Sequence, residues 1–247
     1  MDTNLFLPLI KAKASDLAEA ALVVGDPERA EAAAKHLTDV KKVGHFREYL
    51  TFTGTYKGKQ LTIASHGVGA AGAAICFEEL LRGGVTTIIR AGTCGGMVEG
   101  IKDGETIIGT GAIRDDGTSE RLLPSNYPAI ADRHVLAALE AAAAERSSSP
   151  AHTGIILTIS NFYNGVLPSS VDFWLKAKTN VYAVEMEFAT LLIIASMHAA
   201  RAGGIFVTDG NLTAKSDPTA YNPHRTVVRE GVENMIQIGL DALGRLS

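Results

Sequence analysis

The stretch ALVVGDPERAEAAAKH, residues 21–36, passes from an apolar strand pattern through Gly25, Asp26 and Pro27 into an alanine-rich helical pattern. Proline is accepted in the first turn of a helix because the N–H that it lacks would be unpaired there. The same order of strand, glycine turn and helix returns at 61–81. Strands that alternate with helices predict βαβ units and a sheet covered on both faces.

The rest of the chain continues this alternation. Further strand patterns lie at 86–91, 105–109, 155–159, 182–184 and 204–208, and helical patterns at 187–201 and 226–246. We therefore expect an α/β fold, with residues 1–247 forming a single three-layer α/β/α domain around a mixed, mostly parallel twisted sheet. The short polar stretch at 147–150 is interpreted as a surface loop within that domain.

Composition and charge exclude several classes of protein. The net charge of −4 comes without any basic or acidic block, and a nucleic-acid-binding protein usually shows a basic face. The two cysteines, Cys76 and Cys94, have neither metal-site spacing nor the number needed for a disulfide framework. No apolar run is long enough to span a membrane, and the N-terminus is a poor signal peptide. We expect a cytoplasmic protein with no metal, nucleic-acid partner or membrane partner.

A glycine motif raises the possibility of a dinucleotide cofactor. The letters of residues 67–72, GVGAAG, match GxGxxG between a strand and a helix. A dinucleotide site also needs an acidic residue about 20 positions on, to hold the ribose. The next strand ends in Arg90-Ala91-Gly92 without a carboxylate. We therefore favour a different interpretation of these glycines, a tight turn in which the backbone approaches a neighbouring group closely, over a dinucleotide site.

Two other loops are better suited to a small anion. Gly25 to Arg29 opens a helix, and helix N-termini attract anions through their free N–H groups. The second loop, at 90–96, offers Arg90, the Thr93 hydroxyl and several glycine N–H groups. Parallel strands bring their carboxyl ends to one edge of a sheet, so together these groups predict a phosphate pocket.

Acidic and aromatic residues follow other strands. Glu185 and Glu187 lie where a strand turns into a helix; either could accept hydrogen bonds from a ribose diol, and both also suit a helix N-terminus. Asp209 ends an apolar strand, where burial would raise its pKa and suit a general acid, although Asp-Gly is also an ordinary turn. Phe162 and Tyr163 could stack on a base or belong to the core.

The combined motifs resemble one family, the α/β nucleoside phosphorylases that include hexameric purine nucleoside phosphorylase and uridine phosphorylase. The matching segments are VVGDPERA (23–30), FREYLTFTGTYKG (46–58), IIRAGTCGG (88–96), VEMEFATL (184–191) and VTDG (207–210), in the order in which the family has them. These segments most resemble those of the purine phosphorylases of apicomplexan parasites. The resemblance implies phosphorolysis of purine nucleosides to free base and ribose 1-phosphate, with phosphate as co-substrate and no cofactor.

The resemblance also implies roles for individual residues. Asp209 matches the acid that protonates or hydrogen-bonds N7 of the departing purine. Arg47 matches an arginine that reaches into a neighbouring subunit's phosphate site, in a homohexamer built as a trimer of dimers. The other matches are phosphate-binding, ribose-binding or base-stacking positions: Gly25, Arg29, Arg90 and Thr93 for phosphate; Glu187, Met186, Glu185 and Val68 for ribose; and Phe162 and Tyr163 for the base.

Two departures from the family pattern concern the 5′ end of the ribose and the acid. No histidine precedes His36, although many relatives use an N-terminal histidine at the 5′ group. Bacterial relatives have an arginine that assists the aspartate, whereas residues 211–224 offer only Lys215. The resemblance leaves open which purine is preferred.

Other functions are possible on the same scaffold. Uridine phosphorylases read the base with a glutamine and an arginine, and residues 164–168 supply neither. Nucleosidases, which use water, usually lack the arginine found here at position 29. A storage or binding protein would not need Asp209, Glu187 and the arginines together. These comparisons favour a purine phosphorylase.

Overall fold

The computed structural model describes residues 4–146, 151–214 and 221–246, so the predicted surface loop at 147–150 and Lys215 lie outside the described residues. Seven α-helices are described: α1 Pro27–Ala34, α2 Ala70–Arg82, α3 Ser119–Leu122, α4 Arg133–Arg146, α5 Ser170–Ala177, α6 Phe188–Met197 and α7 Thr226–Arg245. The described strands are β1 Phe6–Leu7, β2 Ala12–Lys13, β3 Ala20–Val24, β4 Thr38–Phe46, β5 Tyr49–Tyr56, β6 Lys59–Ser65, β7 Thr87–Gly96, β8 Thr106–Asp115, β9 Ala129–Ile130, β10 His152–Ile159, β11 Val181–Glu185 and β12 Arg201–Asn211.

One large sheet organises the molecule. Its hydrogen-bonded order is β11-β10-β8-β12-β7-β3-β6-β5-β4, with β9 added to β8. Strand β11 also pairs with β7 in the antiparallel sense, which closes β7, β12, β8, β10 and β11 into a ring. The closure carries the end of β11 back over β7, and this contact builds much of the site described below.

The expected mixed sheet is present, but antiparallel pairs are as common in it as parallel pairs. Strand β3 runs parallel to β6 and β7, β12 parallel to β7, and β10 parallel to β8 and β11. Strands β4, β5 and β6 form an antiparallel meander. The two residues between β5 and β6, Lys57 and Gly58, both have positive φ, as a two-residue hairpin turn requires.

Helices cover both faces of the sheet, as a three-layer arrangement requires. Neighbouring strand residues point to opposite sides, so Val23 packs into the cluster on the face of α2 and α6, and Leu22 into the cluster on the face of α1, α4 and α7. Ile88 and Ile89 of β7 divide in the same way. The core is therefore two apolar layers separated by the sheet.

Several boundaries differ from the sequence-based expectation. The helix expected over 187–201 ends at Met197, because the chain turns through Ala199, which has positive φ, and β12 begins at Arg201. Strands β7 and β8 extend well beyond the expected 86–91 and 105–109. Helix α4 and the β4–β5 hairpin were not among the predicted elements.

Candidate active site

The candidate active site lies where β3, β6, β7 and β12, which share one direction, meet the end of β11. Arg90 lies within β7, level with Val23 near the end of β3. The antiparallel contact between β7 and β11 pairs Gly95 with Val184, immediately before Glu185. Arg90 and Glu185, which are 95 positions apart in the sequence, are thereby brought into hydrogen-bonding distance.

Arg90 is the centre of a buried hydrogen-bond cluster. Its Nε donates to Oε2 of Glu185 at 3.0 Å, its Nη1 donates to Nε2 of His66 at 2.8 Å, and its Nη2 donates to Oε2 of Glu187. Burial alone would lower the pKa of Arg90, but the carboxylates of Glu187 and Glu185 outweigh burial and raise it. Arg90 is therefore a permanent cation. Of the five N–H groups of a guanidinium, these contacts leave two for an anion.

The two glutamates have different surroundings. Glu185 accepts hydrogen bonds from the backbone N–H groups of Glu187 (2.8 Å) and Phe188 (3.0 Å), and from the Thr158 hydroxyl (2.7 Å). With Arg90 added, its oxygens are occupied by protein donors, which tie β10, β11 and the start of α6 together. Glu185 is thus placed to orient Arg90 and Glu187.

Glu187 has capacity to spare. Its Oε1 accepts from the N–H of Gly69 at 2.5 Å and its Oε2 from Arg90. A carboxylate offers about four acceptor positions, so Glu187 can still accept from two hydroxyls. Burial raises the pKa of Glu187, while Arg90 acts in the opposite direction. The predicted ribose role is chemically consistent with this arrangement and stays a prediction.

Asp209 lies in β12 with its carboxyl group buried. Its Oδ2 accepts from the Tyr221 hydroxyl at 2.9 Å, and the Thr93 hydroxyl also hydrogen-bonds this carboxyl group. Burial raises the pKa of Asp209, and the hydrogen bonds from Tyr221 and Thr93 only partly offset it. A carboxyl group with a raised pKa is suited to general acid catalysis near neutral pH. The predicted phosphate ligand Thr93 therefore also contacts the predicted acid.

Tyr221 is a site residue that sequence reasoning missed. Besides donating to Asp209, its ring lies 5.9 Å from that of Phe162, which in turn meets Tyr163 edge-on at 5.1 Å. The two predicted base-stacking residues are thus connected to Asp209 through one aromatic side chain. Its only sequence signal was an aromatic residue twelve positions after the acid, in a stretch rich in small polar residues and proline.

Gly25, which follows β3, and Arg29, which lies in the first turn of α1, adjoin the same cluster. Asp26 caps α1 by accepting from the N–H of Arg29 at 2.8 Å, and its carboxylate also pairs with the Arg29 guanidinium at 3.4 Å. The pKa of Arg29 is lowered by burial, with further influence from Asp26, Arg90, Asp209 and Glu187. A side chain at position 25 would start 4.0 Å from the Arg29 guanidinium. Two cations therefore lie close to the predicted acid and the predicted ribose carboxylate.

Three predicted residues lie at the margin of the cluster. Arg47 is exposed in the β4–β5 turn, with a positive φ of 55° and its guanidinium 5.2 Å from the Phe46 ring centroid. Val68 is exposed beside Gly69, and Met186 packs against an apolar cluster below β11. In the described part of the chain, Arg47 takes no part in the hydrogen bonds of Arg90.

The glycine motif at 67–72 has a local explanation. Gly67 and Gly69 have φ values of 77° and 94°, which favour glycine, and the Gly69 N–H is used by Glu187. A Cβ on Gly67 would lie 2.6 Å from the Glu48 side chain. The glycines therefore serve a tight approach of backbone to carboxylate.

The described residues carry neither a metal-binding cluster nor a membrane-spanning helix. Within 4–146, 151–214 and 221–246, no group of three or more His, Cys, Asp or Glu side chains could hold a metal ion. Among those same residues, no helix combines the length and apolar character that crossing a membrane requires.

Comparison with known proteins identifies the family to which the chain belongs. A family model described as the phosphorylase superfamily matches residues 19–244. The chain is 39% identical to purine nucleoside phosphorylase of Plasmodium vivax over 92% of its length and 91% of the relative's. It is 35% identical to uridine phosphorylase of Treponema pallidum, covering 94% and 90%.

Among solved structures, the chain resembles purine nucleoside phosphorylase from Toxoplasma gondii in complex with immucillin-H. The TM-score is 0.90 at 32% identity, and the match covers 96% of this chain and 95% of that one. The shared fold, the family match and the converging arginines, glutamate and aspartate lead to one conclusion: this chain belongs to the phosphorylase superfamily.

Proposed function

We propose that this protein is a purine nucleoside phosphorylase that converts purine ribonucleosides such as inosine and guanosine, together with phosphate, to free base and ribose 1-phosphate. The observation that carries the proposal is the convergence of Arg90 and Arg29 with Glu187 and a protonatable Asp209. These groups match the three parts of the substrate pair: phosphate, ribose diol and base.

In the proposed reaction, the cationic and the acidic residues bind different parts of the substrates. Arg90 and Arg29 hold the phosphate, and Glu187 accepts hydrogen bonds from the ribose hydroxyls. A phosphate oxygen forms the bond to the anomeric carbon as the bond to the purine nitrogen breaks, and the electron pair leaves with the base. Asp209 donates a proton or hydrogen bond to N7, so that the base need not depart as a free anion. Positioned cations and a buried acid supply the catalysis, without a cofactor in this proposal.

Uridine phosphorolysis is the second candidate, because the chain is also similar to a uridine phosphorylase. Against it, residues 164–168 read Asn-Gly-Val-Leu-Pro and carry neither glutamine nor arginine for a pyrimidine.

We also propose a single domain, a cytoplasmic location, and a homohexamer in which Arg47 serves the neighbouring subunit. The exposed position of Arg47 supports the last of these.

The decisive experiment measures hypoxanthine release from inosine with and without phosphate and identifies the sugar product. Phosphate-dependent release with ribose 1-phosphate is expected. Release of free ribose without phosphate would indicate a nucleosidase, and cleavage of uridine in preference to inosine would indicate the pyrimidine enzyme. No turnover of inosine, guanosine, adenosine or uridine would overturn the proposed function.

A further inference from the structure

His66 is a fully buried titratable residue to which the mechanism above gives no role. It follows the last residue of β6, its N–H donates to the Val24 carbonyl at 2.9 Å, and its ring packs edge-on against Phe77 at 5.2 Å. Both ring nitrogens have partners: Nδ1 lies 2.7 Å from the Gly67 carbonyl oxygen and Nε2 2.8 Å from Nη1 of Arg90.

These partners determine the protonation state of the ring. A carbonyl oxygen only accepts and a guanidinium only donates, so Nδ1 must carry the proton and Nε2 must be the acceptor. A second proton would place N–H against N–H at Arg90. The same environment lowers the pKa of His66 well below its ordinary value, through burial first and then the charge of Arg90, with Arg29 contributing. His66 is therefore a neutral acceptor held in one tautomer.

The location of His66 joins two parts of the site. On one side it contacts the arginine assigned to phosphate, and on the other it holds the Gly67 carbonyl at the start of the loop whose Gly69 N–H binds Glu187. Without an acceptor at Nε2, the Nη1 group of Arg90 would lose a buried partner and the guanidinium would be free to turn within its remaining contacts.

We propose that His66 is a positioning residue, which orients Arg90 for phosphate by accepting its Nη1 hydrogen bond. The inference rests on the proposed function, in which Arg90 binds phosphate. His66 touches no substrate in this proposal, and its effect is transmitted through Arg90 alone.

Two substitutions separate the two ring nitrogens. In His66→Gln, the side-chain amide reaches the place of Nε2 and can still accept from Arg90. In His66→Asn, the amide reaches only the place of Nδ1, so the Gly67 contact is kept and the Arg90 acceptor is lost. We expect His66→Asn to raise the KM for phosphate about tenfold, because one charged hydrogen bond is lost. The KM for inosine, and kcat at saturating phosphate, should change less than about threefold. His66→Gln should stay close to the parent in all three.

Equal effects of the two substitutions on the KM for phosphate would overturn the proposal, as would a fall in kcat with that KM unchanged. Calorimetric titration of the parent, His66→Asn and His66→Gln with inorganic phosphate keeps the test independent of turnover. If the parent binds phosphate but cleaves no nucleoside, the proposed function fails while the order of the three affinities still decides the role of His66.

A measurement on the parent covers the case in which the variants do not fold. Ring ¹⁵N resonances of His66 should report a neutral Nδ1–H tautomer and should shift when inorganic phosphate is added, because Arg90 then shares its charge with the anion. A cationic ring, or ¹⁵N chemical shifts that do not change at saturating phosphate, would contradict the positioning role.

Discussion

Asp209 shows how one buried side chain acquires a chemical role from its neighbours. Its carboxyl group is shielded from water, yet it retains hydrogen bonds from Tyr221 and Thr93. Asp209→Asn keeps the shape and removes the transferable proton. We expect kcat for inosine phosphorolysis to fall about 100-fold or more, the usual contribution of a general acid.

Phosphate affinity separates this role from a structural one. Because the cations Arg29 and Arg90 are unchanged in Asp209→Asn, calorimetric phosphate binding should stay within about twofold of the parent. A parallel loss of turnover and phosphate binding would contradict the assigned role. Near-parental turnover would contradict proton transfer from Asp209, because the asparagine amide can still donate a hydrogen bond to N7 but cannot release a proton.

Tyr221 offers a test based on pH. A hydrogen bond to a carboxylate favours its charged form, so Tyr221→Phe removes an influence that lowers the pKa of Asp209 and lets burial raise that pKa further. If protonated Asp209 is the acid, the alkaline limb of the kcat profile moves to higher pH. Steady-state kinetics across pH with inosine checks this. Tyr163→Phe, which removes a hydroxyl from the neighbouring aromatic residue, is the control and should leave the limb in place.

A shift of the limb to lower pH in Tyr221→Phe would show that the titrating group is not Asp209 in the role proposed. An identical shift in Tyr163→Phe would show that any loss of a hydroxyl in this aromatic group has the same effect.

At the scale of elements, the loop between β6 and α2 connects a glycine backbone conformation to Glu187, the residue proposed to bind ribose. Gly69 has a φ of 94° and donates its N–H to Glu187. Gly69→Ala has open space for its Cβ but meets a backbone conformation (φ 94°, ψ 145°) that is essentially restricted to glycine, which should cost about 1–3 kcal/mol of stability. Relaxation of that strain would displace the N–H, so the KM for inosine should rise more than the KM for phosphate.

Gly100 provides a matched control for this substitution. It lies in the loop between β7 and β8, has a φ of 92°, and also has nothing within 4 Å of an added Cβ. Gly100→Ala should therefore also lose stability in thermal melting, without a selective change in the KM for inosine. If both alanine variants change the kinetics alike, the effect of Gly69 is general destabilisation.

The sequence was sufficient to predict elements whose signal is local. The strands at β3, β6 and β7 and the helices that follow β3 and β6 were predicted because apolar runs, glycine turns and helical periodicity all lie within short segments. Asp209 and Glu187 could be proposed because they stand at strand ends. Their roles came from the family resemblance, since either residue also suits an ordinary turn or helix start.

The remaining features depend on contacts that no local pattern reveals. The antiparallel pairing of β7 with β11 joins distant segments, and it explains why Glu185 orients Arg90 in this structure. From the sequence, His66 only marks the end of an apolar strand, because its contact with Arg90 depends on the fold. The antiparallel pairing of β8 with β12 was equally hidden, because the paired stretches, 106–109 and 204–207, are buried and lack the alternation of apolar and polar residues that is typical of antiparallel strands.

At the scale of the whole molecule, the proposed role of Arg47 depends on assembly, because among the described residues Arg47 takes no part in the hydrogen bonds of Arg90. It is exposed in a hairpin turn, in a left-handed conformation that is unfavourable for a residue other than glycine. Such conformations are often retained at functional positions. Our proposal that it serves a neighbouring subunit implies that each active site draws residues from two chains.

Mixed oligomers test this sharing directly. Asp209→Asn and Arg47→Glu are each expected to be poorly active. In a mixed dimer, one site then carries both substitutions, while the other combines the intact Asp209 of one chain with the intact Arg47 of its partner. Random pairing places half of the chains in mixed dimers, so about one quarter of all sites should regain parental activity. In the proposed homohexamer nearly every randomly assembled oligomer contains both chains, so purification through two affinity tags leaves this fraction close to one quarter, whereas in an isolated mixed dimer it would be one half.

The alternative geometry predicts a different result. If Arg47 acted within its own chain, every site in the mixed oligomer would carry one substitution and activity would remain at the mean of the two variants. Lys41→Glu, a charge reversal on the same hairpin, replaces Arg47→Glu in the control pairing and should retain activity on its own. Because recovery requires an intact residue from each of two chains, it would establish both the assembly and the direction in which Arg47 reaches across it.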